Sequence, residues 1–213
     1  MPRHHHSGRV ADLVLTALYS RDMYRSAVHD DDRIAWVVAC MLLVELHFDR
    51  KIGIGADGSI HPARGASHDH HVLETLLKSE PNAHDARHAA VWLGYLAQHH
   101  RAITMVWQRL VNAGVAAPEE KKWRWSRPRR SLTNPLACAW AREYLREHVT
   151  AAEVPEPAIA LWHGLQALSL DADDLEMEHL DIARRLRSVR LPPALTALFD
   201  ALDKGLARLA TPL

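Results

Sequence analysis

Ile34-Ala-Trp-Val-Val-Ala-Cys-Met-Leu-Leu-Val44 is the longest unbroken apolar run in the sequence, and its flanks decide how it folds. Asp30, Asp31 and Asp32 precede it, carboxylates suited to cap a helix start and to complement its positive dipole end. The run continues through Glu45 and Leu46 to His47. Bilayer crossing takes about 20 apolar residues, so this run is too short to span one. A helix from Asp32 to His47 that is apolar almost all round must be surrounded by other elements, and it reads as the central core helix.

On its N-terminal side, residues 9 to 19 form a short apolar segment that reads as helix. On its C-terminal side, Lys51-Ile-Gly-Ile-Gly-Ala-Asp-Gly-Ser-Ile60 alternates apolar and small residues around Asp57-Gly58, a dipeptide suited to a tight hairpin turn with positive φ. Residues 62 to 70 read as loop and Val72 to Lys78 as a short helix. From Asn82, an N-cap with Asp85 three residues on, one long helix is expected to Asn112. Trp92, Leu96, Ile103, Trp107 and Leu110 fall on one stripe of it, and Gly114 takes the C′ position. Asn134-Pro135 supplies a cap and a first-turn proline before a helix that turns Trp140, Tyr144 and Leu145 inward. Pro157 opens another, ending near Leu170. Leu175, His179, Ile182, Leu186 and Val189 mark a further stripe, and after Pro192-Pro193 the residues Leu195, Leu198, Phe199, Leu202 and Leu206 mark the last. The expected fold is mainly α, with one or two short β-hairpins.

The 213 residues, 48% hydrophobic and 24% charged, suffice for one substantial core, which excludes a disordered tail. Residues 1–8 are expected to be a flexible N-terminal segment and 9–213 a single domain. Lys plus Arg (26) offsets Asp plus Glu (26), so a nucleic-acid or membrane partner must be argued from local clustering. Cys40 and Cys138 each sit in an apolar stretch, which suits buried reduced thiols better than a disulfide scaffold. With no signal segment in view, a cytoplasmic protein is expected. Arg outnumbers Lys 21 to 5 and Ala reaches 32, a bias that a G+C-rich bacterial coding sequence would impose.

The least ordinary stretch is Lys121-Lys-Trp-Arg-Trp-Ser-Arg-Pro-Arg-Arg130, with six cations in ten residues and no acid. If it is extended, Trp123 and Trp125 project from one face, while Lys122 and Arg124 project from the other. Arg127, Arg129 and Arg130 extend the positive charge. Indole prefers the headgroup layer and basic residues are drawn to an anionic leaflet, so such a hairpin suits a membrane surface. The same ingredients suit nucleic acid, with phosphates neutralised by Arg and bases stacked on Trp, or a protein-docking arm. The plain alternative is two packed tryptophans with solvated cations around them.

The order of segments resembles the Golgi phosphoprotein 3-like family, in particular its shorter bacterial members, from Val10 to Leu209. Cys40-Met-Leu-Leu-Val-Glu-Leu-His-Phe-Asp-Arg-Lys-Ile52 is similar to the family's core helix and "ELxLRGRI" segment, followed by a short hairpin ending Asp57-Gly-Ser-Ile60. Gln108-Arg-Leu-Val-Asn-Ala-Gly-Val115 looks like its "RLVxxGV" helix end. Glu119-Glu-Lys-Lys122, the aromatic strand and Arg130-Ser-Leu-Thr-Asn134 resemble its aromatic hairpin and "PLTN" stretch. The resemblance implies a four-helix core ringed by amphipathic helices. It also implies a non-enzymatic peripheral membrane adaptor, with phosphatidylinositol 4-phosphate or a related phosphoinositide as lipid, a membrane-protein client, and a hairpin serving membrane insertion and self-association. The four family positions that hold the phosphoinositide align with Asp30, Ala39, His100 and Ile103, and none is retained. Arg33, Trp36, His100 and Arg101 are the local headgroup candidates, the alternative being a lost pocket.

Other chemistry has less support. His84 and His88 fall four apart on an expected helix and His68-Asp-His-His71 lies nearby, yet the pair lacks the Glu of a zinc hydrolase helix, so surface histidines are the better reading. The run His4 to His6 enters neither the fold nor the metal reading. Gly53-Ile-Gly55 lacks the third glycine of a dinucleotide site. Acidic runs at Asp30 to Asp32 and Asp171 to Asp174 read as dipole complement. No catalytic residue, metal or cofactor is expected, and the partners expected are an anionic phospholipid surface, a membrane-protein client and a second copy through the hairpin, with nucleic acid as the alternative.

Overall fold

The apolar run becomes the axis around which the other helices assemble. The computed structural model describes residues 9–19, 31–63, 88–120, 130–151, 153–170, 184–186 and 189–210. Within them, α1 covers Val10–Ala17, α2 Asp31–Phe48, α3 Ala89–Ala97, α4 Arg101–Asn112, α5 Trp140–Val149, α6 Glu156–Ala167 and α7 Pro193–Leu209. In α2, Ala35 and every residue from Val37 to Leu46 are buried, Glu45 included. Five helices, α1, α3, α4, α6 and α7, pack on it, and α5 completes the shell against α1 and α6. Each buried Val, Leu or Met side chain contributes about 1.5–3 kcal/mol, which makes α2 the main apolar contribution to stability. No helix among the described residues is long and apolar enough to cross a membrane.

The only sheet among the described residues is the expected hairpin, β1 (Ile52–Ile54) against β2 (Ile60–Pro62), antiparallel with Ile54 opposite Ile60. Its turn is wider than Asp57-Gly58 alone suggests. It runs from Gly55 to Ser59, where the Ser59 amide and hydroxyl donate to Asp57 Oδ1 at 3.0 and 2.7 Å. Gly58 takes φ +79°, a conformation that costs a residue with a Cβ about 1 kcal/mol or more.

The single long helix expected to end at Asn112 is instead two helices. Gln98 leaves α3 extended, and His99 and His100 follow with φ 53° and 55° before α4 begins. A straight helix over 89–112 would be about 36 Å long, longer than the about 27 Å of α2, and the break lets both halves pack on that shorter core. No glycine or proline announces it. The Asn82 cap, the Val72–Lys78 helix and most of the stripe from Leu175 to Val189 fall outside the described residues.

The other starts and stops follow the local signals. Gly114, φ +72°, ends α4, with the amides of Gly114 and Val115 donating to Val111 and Leu110. Asn134 Oδ1 accepts from the Leu136 amide, but the turn it caps, Pro135–Ala139, is 3-10 and only then passes into α5. Cys40 is fully buried and its thiol is pushed up by burial, whereas Cys138 is only half-buried; both are free.

Candidate functional site

Two regions carry the expected site residues. The first begins where Gly114 turns the chain away from α4. Ala116 and Leu132 form an antiparallel bridge, the Ala117 amide donates to Ser131 O and the Thr133 amide to Val115 O, both at 2.9 Å. Trp107 Nε1–H of α4 donates to Ala117 O at 3.0 Å, fixing this clasp to the core. Just beyond it, Arg130 pairs with Glu119 at 2.6 Å with both side chains largely covered, and its guanidinium lies 5.9 Å from the Trp107 ring centre. The chain therefore leaves and returns at one point, with the cationic tryptophan segment between. Lys121, Lys122, Trp123, Arg124, Trp125, Arg127 and Arg129 lie outside the described residues. Arg130, expected among the cations of the membrane or self-association hairpin, is paired with Glu119 beside the clasp.

The second region is the meeting of the α2 start with the α3–α4 break. His100 Nε2 lies 3.9 Å from Asp32 Oδ1. Arg101 lies over the Tyr95 ring, 4.1 Å from its centre, and donates from Nη1 to Tyr95 O at 3.3 Å, so a guanidinium is held in place by a cation–π contact and a hydrogen bond. Trp36 of α2 fills the space over Gly205 of α7 and Gly94 of α3. A Cβ at Gly205 would lie 2.5 Å from Trp36 Cε3, so the glycine is what admits the indole. His100 therefore faces the α2 start at Asp32 and Arg101 is held on Tyr95, while Trp36 is packed between α2, α3 and α7. Arg33 is drawn elsewhere: its Nε donates to Ala167 O at 2.7 Å, capping the C-terminal end of α6 where negative dipole charge collects. An anion at the break would meet one fixed guanidinium and one imidazole with a carboxylate close by.

A third constellation was not anticipated. Arg109 of α4 donates from Nε and Nη2 to Asp12 Oδ1 of α1, and from Nη1 to Glu45 Oε2 of α2 at 2.8 Å. Nη2 also reaches Glu45 Oε1, which accepts the Ala11 amide at 2.8 Å as well. The side chains are 22% (Arg109), 12% (Asp12) and 8% (Glu45) exposed. Burial pushes the Asp12 carboxyl up to about 6, against the pull of Arg109 and with the push of Glu45. Burial pulls the Arg109 guanidinium down, but Glu45 and Asp12 outweigh it and hold it above its ordinary value. One signal could have pointed here: Glu45 is the single acid inside an otherwise apolar stretch, and a buried carboxylate requires a cation.

A groove of ≈ 730 Å³ also opens between the β1–β2 turn, His88 at the start of α3, and α7. Asp57 and Asp200 alternate there with His88, Arg190 and Lys204, so the groove has no dominant sign of charge. Hydrogen bonds from Ser59 hold the Asp57 carboxyl below the usual carboxylate range. His88 uses its ring as the cap of α3, accepting from the Ala90 amide at 3.4 Å.

Residues 10–203 match the model of the family described as Golgi phosphoprotein 3 (GPP34). No curated protein and no solved structure matches the chain.

Proposed function

We propose, on the premise that this chain belongs to the Golgi phosphoprotein 3 family, that it works without catalysis as a peripheral membrane protein whose cationic tryptophan segment engages anionic phospholipid. The observation that carries this reading is the clasp at 115–117 and 131–133. It anchors both ends of a segment with five cations beyond the paired Arg130 and with two indoles, so the segment can touch a surface without disturbing the core. Each basic residue near an anionic leaflet contributes about 1 kcal/mol, so the five give at most about 5 kcal/mol before salt and geometry reduce it, and the indoles add interfacial anchoring. Arg101 and His100 are the groups proposed to meet a phosphate-bearing headgroup such as a phosphoinositide, since Arg101 is already held with N–H donors to spare. An adaptor role, with a membrane-protein client and self-association through the same segment, is the extension of this reading.

Vesicle sedimentation tests it. The wild type is expected to sediment with vesicles of phosphatidylcholine and phosphatidylserine and to stay in solution with phosphatidylcholine alone. Trp123→Ala with Trp125→Ala and Arg124→Glu should abolish the difference, and unchanged binding would refute the segment's role. Phosphatidylinositol 4-phosphate in place of phosphatidylserine at equal charge should raise wild-type binding but not that of Arg101→Ala. Steeply salt-dependent binding to single-stranded oligonucleotide, with no vesicle binding, would favour nucleic acid instead.

A further inference from the structure

We propose that the Asp12–Arg109–Glu45 cluster is a proton-responsive clasp that sets how firmly α1 is held on the core, tightening on mild acidification. The inference is independent of any lipid contact. Two carboxylates share one guanidinium, so the cluster carries one negative charge in excess when all three groups are ionised. It is enclosed, with Asp12 12% and Glu45 8% exposed, so solvent does little to spread that charge. Glu45 is the better satisfied of the two acids, with Nη1 and Nη2 of Arg109 and the Ala11 amide on its oxygens, whereas Asp12 directs a single oxygen to Arg109. The excess charge is therefore relieved most easily by a proton on Asp12, whose second oxygen can carry it. That carboxyl already stands near 6 through burial.

The charged groups acting on Asp12 are Arg109 from α4, Glu45 from α2 and Arg9 just before α1. Of the other elements packed on α1, the 135–139 turn has no titratable residue except Cys138. In α5, Arg142 and Arg146 pair with Glu143, leaving Tyr144, Glu147 and His148 as its other titratable residues. In α6 the titratable residues are Glu156 and His163, and His163 lies against Phe199 of α7. Arg109 reaches α1 and α2 together, so the protonation state of Asp12 bears on the attachment of α1.

The sign follows from linkage. A carboxyl whose value is raised in the docked state binds its proton there more tightly than when α1 is detached, so docking is favoured as pH falls through 6 and is weakened above it. Between about pH 7.5 and about pH 5, a shift from 3.8 to about 6 changes the α1 opening equilibrium by about tenfold. Hydrogen-exchange protection of the α1 amides, corrected for intrinsic exchange rates, should rise by that factor in the full chain on acidification. In Asp12→Asn, which keeps the acceptor facing Arg109 and cannot ionise, protection should be high and flat over the same range. Flat or falling wild-type protection, or a pH response that persists in Asp12→Asn, would overturn the proposal. If that variant does not fold, carbon NMR of the Asp12 carboxyl in the wild type decides. A midpoint near 6 supports the clasp, and one below about 5 refutes it.

Discussion

Replacing Arg109 by Met tests whether the cluster is an electrostatic unit or ordinary packing. Methionine fills much of the same volume but leaves Asp12 and Glu45 facing one another with little solvent, and the Ala11 amide as the remaining donor to Glu45. Removing one partner of a buried ionic group costs about 3–5 kcal/mol, and for a chain of this size each kcal/mol lowers Tm by about 2–4 °C. The loss should also depend on pH in a defined direction. Without the guanidinium, a proton on Asp12 has to supply the neutralising charge that Arg109 gave, so the Asp12 carboxyl, already raised by burial, rises further above its unfolded value. Stability from such groups is complete below the unfolded value and is lost as pH rises through the folded one. Each pH unit of acidification from about 7.5 should therefore recover up to about 1.4 kcal/mol per proton taken up. Urea unfolding at about pH 7.5 and about pH 5.5 reads both effects from Cm at constant m. Asp12→Asn in the same chain should recover part of the loss at the higher pH. A cost below about 1 kcal/mol, or equal costs at the two pH values, would refute the electrostatic account.

Gly205→Ala should destabilise by about 1–3 kcal/mol through the collision with Trp36, measurable as a Tm shift, and Trp36→Leu in the same chain should restore most of it. His99→Gly should be neutral or stabilising by up to about 1 kcal/mol, since glycine adopts the left-handed conformation of that position without strain, and a marked loss would show that the His99 side chain itself is needed. Gly58→Ala should cost about 1 kcal/mol or more, from its φ of +79° and a Cβ placed 3.3 Å from the His88 ring; urea unfolding checks it. Leu136→Ser should leave Tm unchanged, because that side chain is 73% exposed.

How much was legible from sequence differs between elements for physical reasons. The ends of α4, α6 and α7 were readable because Gly114, Pro157 and Pro193 act through their own backbone geometry, which no neighbour has to supply. The α3–α4 break was not readable. Gln98, His99 and His100 carry no local breaking signal, and the left-handed pair persists because packing both halves on α2 outweighs its strain. Of the headgroup candidates, the neighbours His100 and Arg101 sit at the α3–α4 break, Trp36 is packed against the glycines of α3 and α7, and Arg33 is taken by the carbonyl end of α6, a partner 134 residues away. The Arg109 contact to Asp12 spans 97 residues, a separation at which one sequence carries no pairing signal.

The sequence by itself determined that α2 would be central, because a run with no polar face can be satisfied only by enclosure. It also set the hairpin after α2 and the concentration of cations and indoles in one segment, since these depend on composition and local geometry. Tertiary structure alone decided which charges remain available. Arg130 is held by Glu119, Arg33 by α6 and Arg109 by two acids from different helices, whereas Arg101 is fixed on Tyr95. A charged side chain takes its partner from whatever the packed helices bring within a few ångströms, and that distance exists only once the chain has folded.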